Sequence, residues 1–185
     1  MSNKLKNKKV AILVTNGFEQ SEFVEPRKAL ESEGAEVHVI SPKGGKVKAW
    51  DVDNWGDEFE VDRTLDAANA DDYHSLVLPG GVLNPDNLRA DKRAVEFVSN
   101  FMNNGKPIAA ICHGPWTLIE TGNLQGKKMT SYNSIKTDLK NAGANWVDEE
   151  VVVDQGLITS RNPDDIPAFN KRMIEEFASK DAVEA

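Results

Sequence analysis

The sequence predicts an α/β domain in which a mostly parallel sheet is covered by helices on both faces. Three observations support this prediction. Apolar runs of strand length alternate with helical segments, the runs are apolar on both faces, and no repeat or low-complexity linker divides the 185 residues. Right-handed crossovers between such strands produce a three-layer sandwich, in which ligands bind at the carboxyl ends of the strands.

The first half of the chain holds three predicted core strands. They cover residues 9–14 (KVAILV), 35–40 (AEVHVI) and 75–78 (SLVL). A helix is predicted over residues 21–32, with Gly34 as its C-terminal stop. Residues 46–62 mix short strand-like pieces with polar residues and predict a hairpin or a surface excursion, and residues 66–72 predict one or two helical turns.

The second half continues the alternation of strands and helices. Strands are predicted at 107–111 and 128–131, helices at 93–104, 116–120, 134–142 and 164–178, and a hairpin at 151–159. We therefore expect a single domain over residues 1–185, with a core from about residue 8 to residue 178 and flexible segments at 1–7 and 179–185.

Composition and charge exclude several classes of protein. The net charge is −8, from 22 basic and 30 acidic residues, which disfavours binding to nucleic acid. No apolar run reaches the roughly 18 residues of a membrane span, and the basic N-terminus lacks a cleavage site, so we expect a cytoplasmic protein without a membrane partner. The single cysteine excludes an intrachain disulfide and any multi-cysteine metal site.

Cys112 is the first candidate for chemistry. It lies where an apolar strand meets a helix, in the segment AAICHGP, and a nucleophile on such a turn is held out at the edge of a sheet. The positive end of the following helix dipole lowers the pKa of a thiol. The alternative is that Cys112 only extends the buried strand, since cysteine is often a core residue.

Two further loops follow core strands at the same predicted edge. Glu19 is a candidate partner of the thiol, and a protonated carboxyl there would donate a hydrogen bond to the sulfur. Gly80 and Gly81 are candidates for amide groups that stabilise an oxyanion, together with the backbone amide of His113. The simpler alternatives are a carboxylate at a helix N-terminus for Glu19 and a tight turn for the two glycines.

Neither the spacing of the histidines nor any glycine-rich motif in the sequence indicates a metal or a cofactor. His38 and His74 are predicted to be structural, whereas His113 directly follows the cysteine. Three scattered histidines without paired spacing do not predict a metal site, and no phosphate-binding or dinucleotide-binding glycine motif occurs. We therefore predict neither a metal nor a cofactor.

Four motifs taken in order resemble the ThiJ/PfpI (DJ) superfamily. They are VAILV followed by GFE, then LVLPGG, AAICHGP and TSRNPDD. The CHGP form and the segment from Pro85 to Arg89 are most similar to the PfpI intracellular-protease-like branch, and the resemblance covers about residues 8–178.

The resemblance implies a flavodoxin-like sandwich of the kind shared with class I glutamine amidotransferases. It also implies that Cys112 is the nucleophile, Glu19 the buried carboxyl in contact with it, and His113 the catalytic histidine. Asp86 stands where the PfpI branch carries a glutamate that reaches this histidine across a subunit boundary. A homodimer or a larger homo-oligomer is implied as well.

Three functional hypotheses follow. The favoured one is a stress-response hydrolase that acts on a small aldehyde or a glycated substrate through Cys112, in the manner of a glyoxalase or deglycase. The second is a cysteine peptidase that uses Cys112, His113 and Asp86 on a peptide. The third is a non-enzymatic redox sensor or chaperone in which Cys112 is oxidised.

Overall fold

The computed structural model describes residues 3–179, which form eleven strands, six α-helices and three short 3-10 helices. The strands are β1 (Lys9–Leu13), β2 (Glu36–Ser41), β3 (Lys46–Asp51), β4 (Asn54–Glu60), β5 (Arg63–Thr64), β6 (Ser75–Leu78), β7 (Ile108–Ile111), β8 (Lys128–Met129), β9 (Asn145–Trp146), β10 (Val152–Asp154) and β11 (Leu157–Ser160). The helices are α1 (Gln20–Ser32), α2 (Leu83–Arg89), α3 (Lys92–Asn103), α4 (Pro115–Ile119), α5 (Lys136–Asn141) and α6 (Ile166–Ser179). The 3-10 helices cover Ala70–Asp72, Asn133–Ile135 and Pro163–Asp165.

A seven-stranded sheet lies at the centre of the fold. Its strand order is β10-β11-β7-β6-β1-β2-β5, and every pairing is parallel except that between β10 and β11. The parallel strands β1, β6 and β7 are adjacent, so their carboxyl ends meet at one edge. The predicted mostly parallel α/β sandwich is confirmed.

Both faces of the sheet are buried because successive side chains of each strand point to opposite sides. Ala11 and Leu13 of β1 join a core formed with α2, α3, α4 and α5, whereas Val10 and Ile12 join a core formed with α1 and α6. This explains why the central strands β1, β6 and β7 are mainly apolar, as expected for a parallel sheet covered on both sides.

Residues 46–60 form a hairpin that lies apart from the central sheet. Strands β3 and β4 pair only with each other, in an antiparallel ladder with an irregularity between Lys48 and Trp50. Phe59 of this hairpin packs on Phe23 of α1 with a ring-centroid distance of 4.8 Å, and the Trp50 amide donates to the Phe18 carbonyl at 2.7 Å. The hairpin tip is thereby held at the end of the sheet where β1 ends.

The structure corrects the prediction at the N-terminal end of the chain. Residues 3–7 were expected to be flexible, but Leu5 is fully buried and its amide donates to the Glu33 carbonyl at 2.9 Å. A buried leucine stabilises this turn against α1 and the core. Of the segments expected to be flexible, residues 1–2 and 180–185 lie outside the described part of the chain.

Helix α2, over Leu83–Arg89, was not predicted. Its seven residues include Pro85 and two asparagines, so helix propensity is low and no apolar period is visible. Across residues 3–179, no helix combines the length and the apolar character required to cross a bilayer.

Candidate active site

Cys112 occupies a sharp turn between β7 and α4. Its φ of 63° lies in the left-handed region, which few non-glycine residues adopt. The Cys112 amide donates to the Ser160 carbonyl at 3.0 Å, and the Tyr132 amide donates to the Cys112 carbonyl at 2.9 Å. These two hydrogen bonds hold the strained conformation, and Pro115 begins α4 directly after the turn. The turn is therefore the predicted strand-to-helix elbow.

Gly114, which follows the elbow, leaves no room for a larger side chain. A Cβ added to Gly114 would lie 2.9 Å from the Ile111 carbonyl oxygen and would also meet the Leu78 carbonyl. Such contacts are too short for a carbon atom, so the sequence CHGP requires glycine at this position for a packing reason. The thiol itself is 7% exposed and borders a cavity.

Backbone amides surround the Cys112 sulfur. Burial raises the pKa of the thiol, and negative charge on Glu22 adds to that rise, whereas hydrogen bonds from the Gly81 and His113 amides lower it. Gly81 and His113 thus direct backbone amides at the sulfur, and their predicted role toward an oxyanion stays a prediction. Gly81 has a φ of 79°, and a Cβ there would lie 2.8 Å from the Glu19 amide nitrogen.

Gly80 differs from the prediction. Its amide does not face the cavity but donates to Oε1 of Glu22 at 2.9 Å, in a fully buried contact. Because this amide already donates to the Glu22 carboxyl, it is not available to donate to an oxyanion. Gly80 thus supports an acidic side chain, and of the two glycines Gly81 is the one that directs its amide at the sulfur.

The acid beside the thiol is Glu22, and the predicted contact between Glu19 and Cys112 is corrected. Glu22 is fully buried, and its side chain lies close enough to the Cys112 thiol for the two groups to shift each other's pKa. Burial raises the pKa of this carboxyl to about 8, with a smaller rise from the charge of Glu19. At neutral pH the carboxyl is therefore protonated and able to donate. Its Oε2 atom is buried with no hydrogen-bond partner among the described residues.

Glu19 instead lines the entrance of the cavity. It is the N-cap residue of α1, and its Oε2 accepts a hydrogen bond from the Val52 amide at the hairpin tip, at 3.0 Å. Burial raises its pKa, the hydrogen bond from Val52 lowers it, and Asp51 raises it. The two glutamates are three residues apart at the start of α1, so their spacing makes both of them candidates and does not decide which one is buried.

The imidazole of His113 contacts the thiol despite being on the adjacent residue. Its Nδ1 lies 3.4 Å from Sγ of Cys112, and its Nε2 lies 3.3 Å from Oγ of Ser134. The ring stacks on Tyr132 with a centroid distance of 4.8 Å and meets Trp116 edge-on at 5.2 Å. Burial lowers the pKa of His113 below its ordinary value, so the ring is neutral at neutral pH.

Asp86 lies on α2 and is exposed. Within residues 3–179 of one chain, the ring nitrogens of His113 contact Cys112 and Ser134 and not this carboxylate. The predicted contact between Asp86 and a histidine of another subunit stays a prediction. Ser134, which sequence reasoning did not single out, takes the position next to Nε2.

A cavity of about 620 Å³ opens above the thiol. Its lining consists of Gly17, Glu19, Trp50, Val52, Gly81, Val82, Leu83, Cys112, His113, Tyr132 and Ser134. The volume lies within the usual range for small-molecule sites. Large apolar side chains at its rim are unusually exposed, with Val52 at 77% and Val82 at 54%. In the described residues, no group of three or more His, Cys, Asp or Glu side chains is arranged to hold a metal ion.

A flavodoxin-like sandwich with a cysteine elbow and a buried carboxyl beside the sulfur defines a class of thiol-dependent α/β proteins. The chain belongs to the DJ-1/PfpI family, whose model matches residues 8–176. The family predicted from the four motifs is confirmed.

Named relatives share most of their length with this chain. General stress protein 18 of Bacillus subtilis is 48% identical over 168 residues, which are 90% of this chain and 96% of the relative. Putative cysteine protease YraA of the same organism is 45% identical, covering 91% of this chain and 97% of the relative. Protein/nucleic acid deglycase 2 of Escherichia coli is 44% identical, covering 91% and 96%. These names agree with the predicted class of stress-related, cysteine-dependent hydrolases.

The fold also matches solved structures. The crystal structure of Drosophila melanogaster DJ-1beta superposes with a TM-score of 0.83 at 32% identity, covering 100% of this chain and 95% of that one.

Proposed function

We propose that this protein is a cysteine-dependent hydrolase that removes carbonyl damage, of glyoxalase or deglycase type, with Cys112 as nucleophile. One observation carries the proposal: a fully buried carboxyl, Glu22, lies against the thiol with one oxygen held by Gly80 and the other without a partner. A buried, unpartnered oxygen costs about 1–3 kcal/mol. This cost is explained if Oε2 carries a proton that is exchanged with the sulfur and the substrate.

The thiol and Glu22 form a coupled pair that shares its titration. In the free site the thiolate beside a protonated Glu22 is the minor form, because burial raises the pKa of the thiol well above its ordinary value and that of Glu22 only to about 8. We assign the reaction to this minor form, in which the amides of Gly81 and His113 stabilise the negative charge on sulfur. A neutral carboxyl adds a donor without adding a second negative charge. The arrangement therefore stabilises a thiolate in a site whose burial otherwise disfavours one.

The first step is addition of the thiolate to an aldehyde such as methylglyoxal. A C–S bond forms, the C=O π electrons move to oxygen, and Glu22 donates its proton to give a hemithioacetal. We assign stabilisation of the developing oxyanion to the amides of Gly81 and His113, which lie beside the sulfur. Oxidation of the aldehyde carbon and reduction of the adjacent ketone carbon then give a lactoyl thioester without an external oxidant.

Hydrolysis of the thioester releases lactate and the thiol. The overall balance is methylglyoxal plus water giving lactic acid, and an adduct of methylglyoxal on an amine gives lactic acid plus the free amine. His113, neutral and 3.4 Å from the sulfur, is the residue positioned to accept the proton of the attacking water.

The test compares lactate and amine release by the wild-type protein, Cys112→Ala and Glu22→Gln. We expect Cys112→Ala to abolish both products and Glu22→Gln to reduce them strongly. Amine release must exceed the spontaneous dissociation of the adduct to qualify as deglycation, whereas lactate from free methylglyoxal alone indicates a glyoxalase. A gain of two oxygens on Cys112 under mild peroxide, with no turnover of either substrate, would replace the proposal with a redox sensor or chaperone.

A cysteine peptidase is the second candidate, because Sγ of Cys112 and Nδ1 of His113 are 3.4 Å apart and a relative carries the name putative cysteine protease. The distinguishing result is peptide cleavage that copurifies with the protein, is lost in His113→Ala and persists after removal of contaminating proteases. Methylglyoxal turnover without such cleavage favours the first function.

We also infer a homo-oligomer that works in the cytoplasm and does not bind nucleic acid. Exposed Val82 and Leu83 beside the cavity support a self-association surface, and the net charge of −8 opposes binding to a polyanion. Sedimentation analysis across protein concentrations tests the assembly, and a monomer at micromolar concentration would contradict it.

A further inference from the structure

Glu19 holds a fixed position at the entrance of the cavity although it does not contact the thiol. Its Oε2 accepts from the Val52 amide at 3.0 Å, and its own amide donates to the Gly80 carbonyl at 3.4 Å. A backbone bridge also joins Glu19 to Trp50 of the hairpin. Hydrogen bonding among the described residues engages one carboxyl oxygen and leaves Oε1 available to a ligand.

The charges that line the cavity are of one sign. Glu19 is the only acidic residue among the eleven lining residues, and these include no lysine or arginine. The one lining histidine, His113, is neutral because of its burial. Asp51 lies close enough to Glu19 to add to the negative potential. A substrate that enters as an anion meets no compensating cation, whereas a cation meets a carboxylate.

The remaining walls suit a positive charge as well. The aromatic rings of Trp50 and Tyr132 line the same cavity as the carboxylate. Ammonium and guanidinium groups gain free energy near aromatic rings, by about 0.5–2 kcal/mol depending on desolvation. A carboxylate combined with aromatic walls is an arrangement that selects organic cations over neutral molecules of equal size.

We propose that Glu19 is a specificity-determining residue that binds the positive charge of the substrate. The inference rests on the proposed function and adds a charge preference to it: carbonyl adducts that carry a net positive charge are preferred to adducts that carry a carboxylate or a phosphate. The E. coli relative is named for both protein and nucleic acid; in the present chain, the cavity offers no cation to a nucleotide phosphate.

The test uses the charge of a thiol reagent, so that it does not depend on turnover. Cys112 is the only cysteine of the chain, so every labelling event reports on this cavity. Three methanethiosulfonates of similar size are compared: aminoethyl (cationic), methyl (neutral) and sulfonatoethyl (anionic). Each rate is divided by the rate for glutathione under the same conditions, which removes the intrinsic reactivity of the reagents.

We expect the wild-type protein to favour the cationic over the anionic reagent by at least about 100-fold, from the Coulomb interaction of close charges at a partly exposed site. Glu19→Gln preserves the acceptor for Val52 and should lower this ratio about tenfold. Glu58→Gln, which removes the same charge from an exposed position of β4, serves as the matched control and should leave the ratio within about twofold. Added salt should reduce the wild-type preference as it screens the charges.

An unchanged ratio in Glu19→Gln, or an equal loss in Glu58→Gln, overturns the proposal. A second measurement compares kcat/KM for methylglyoxal adducts of N-acetylarginine amide and of guanosine monophosphate. Charge-selective labelling without turnover of either adduct refutes the proposed function and supports the cation site, whereas turnover with no charge selectivity refutes the cation site alone.

Discussion

Oε1 of Glu22 accepts a hydrogen bond from the Gly80 amide at 2.9 Å, and this contact fixes the acid beneath the thiol. The two carboxyl oxygens consequently differ in role. One is held by the backbone of the loop that follows β6, and the other is left for Cys112. The orientation of the acid is therefore set by the main chain of a neighbouring strand end rather than by another side chain.

Replacing Glu22 by glutamine retains its size and the acceptor for Gly80 but removes the exchangeable proton. We expect kcat/KM for methylglyoxal to fall by about 100-fold or more, as is usual when a positioned proton donor is lost. Glu25→Gln, at an exposed position of the same helix, is the control. Wild-type turnover in Glu22→Gln would contradict the assigned role.

Glu22 also links stability to pH. Its pKa rises from 4.5 to about 8 on folding, so the folded state binds the proton more tightly than the unfolded state. The stabilising contribution is complete below about pH 4.5 and is lost as the pH rises through about 8. We expect the free energy of unfolding of the wild type, relative to Glu22→Gln, to fall with pH by up to about 1.4 kcal/mol per pH unit in this window. Urea unfolding at several pH values measures it, and a flat difference would exclude a buried, protonated Glu22.

Gly80 has no space for a side chain. A Cβ there would lie 2.7 Å from Cβ of Cys112 and would meet Oε1 of Glu22. We expect Gly80→Ala to lower the free energy of unfolding by about 2 kcal/mol and to displace the acid, with loss of turnover. Gly44→Ala is the matched control, because its Cβ would make only an ordinary contact of 3.6 Å with Thr64, and it should change stability by less than about 0.5 kcal/mol. Equal effects from the two alanines would show that the contact is not restrictive.

Substitution of Asp86 tests its predicted contact with His113 of another subunit. If the acid of one copy reaches His113 of another, Asp86→Asn should lower kcat about tenfold, and Glu96→Gln on α3 should not. The decisive measurement mixes Asp86→Asn with Cys112→Ala, because a shared site regains an intact combination of residues when the two variants assemble together. No recovery of activity in mixed oligomers would place Asp86 outside the site.

Sequence patterns identified the sheet because its central strands are buried on both faces and are therefore mainly apolar. The segments 75–78 and 107–111 needed no tertiary information, and the residue between strand and helix followed from them. Helix α2 was missed because its polar residues and Pro85 carry no apolar period; it is a helix because it packs on α3 and α4. Local propensity is overridden there by tertiary contacts.

The error at Glu19 has a different physical origin. Distance along the chain from the end of β1 favoured Glu19, but the first turn of α1 directs Glu22 toward Gly80. Which of the two glutamates is buried depends on the position of the 46–60 hairpin. The Val52 amide of this hairpin donates a hydrogen bond to Glu19, and Glu22 is the one that is buried. No pattern within residues 19–22 specifies that long-range contact.

The hairpin of β3 and β4 has a consequence for how the family diversifies. It pairs with no strand of the central sheet, yet it supplies Trp50 and Val52 to the cavity and anchors Glu19. Cys112, the proposed nucleophile, lies at the end of a central strand, whereas part of the cavity wall comes from the separate hairpin, referred to here as an appendage. Exchanging this appendage between homologous proteins should transplant preference for one electrophile over another while leaving the reactive sulfur and its acid untouched.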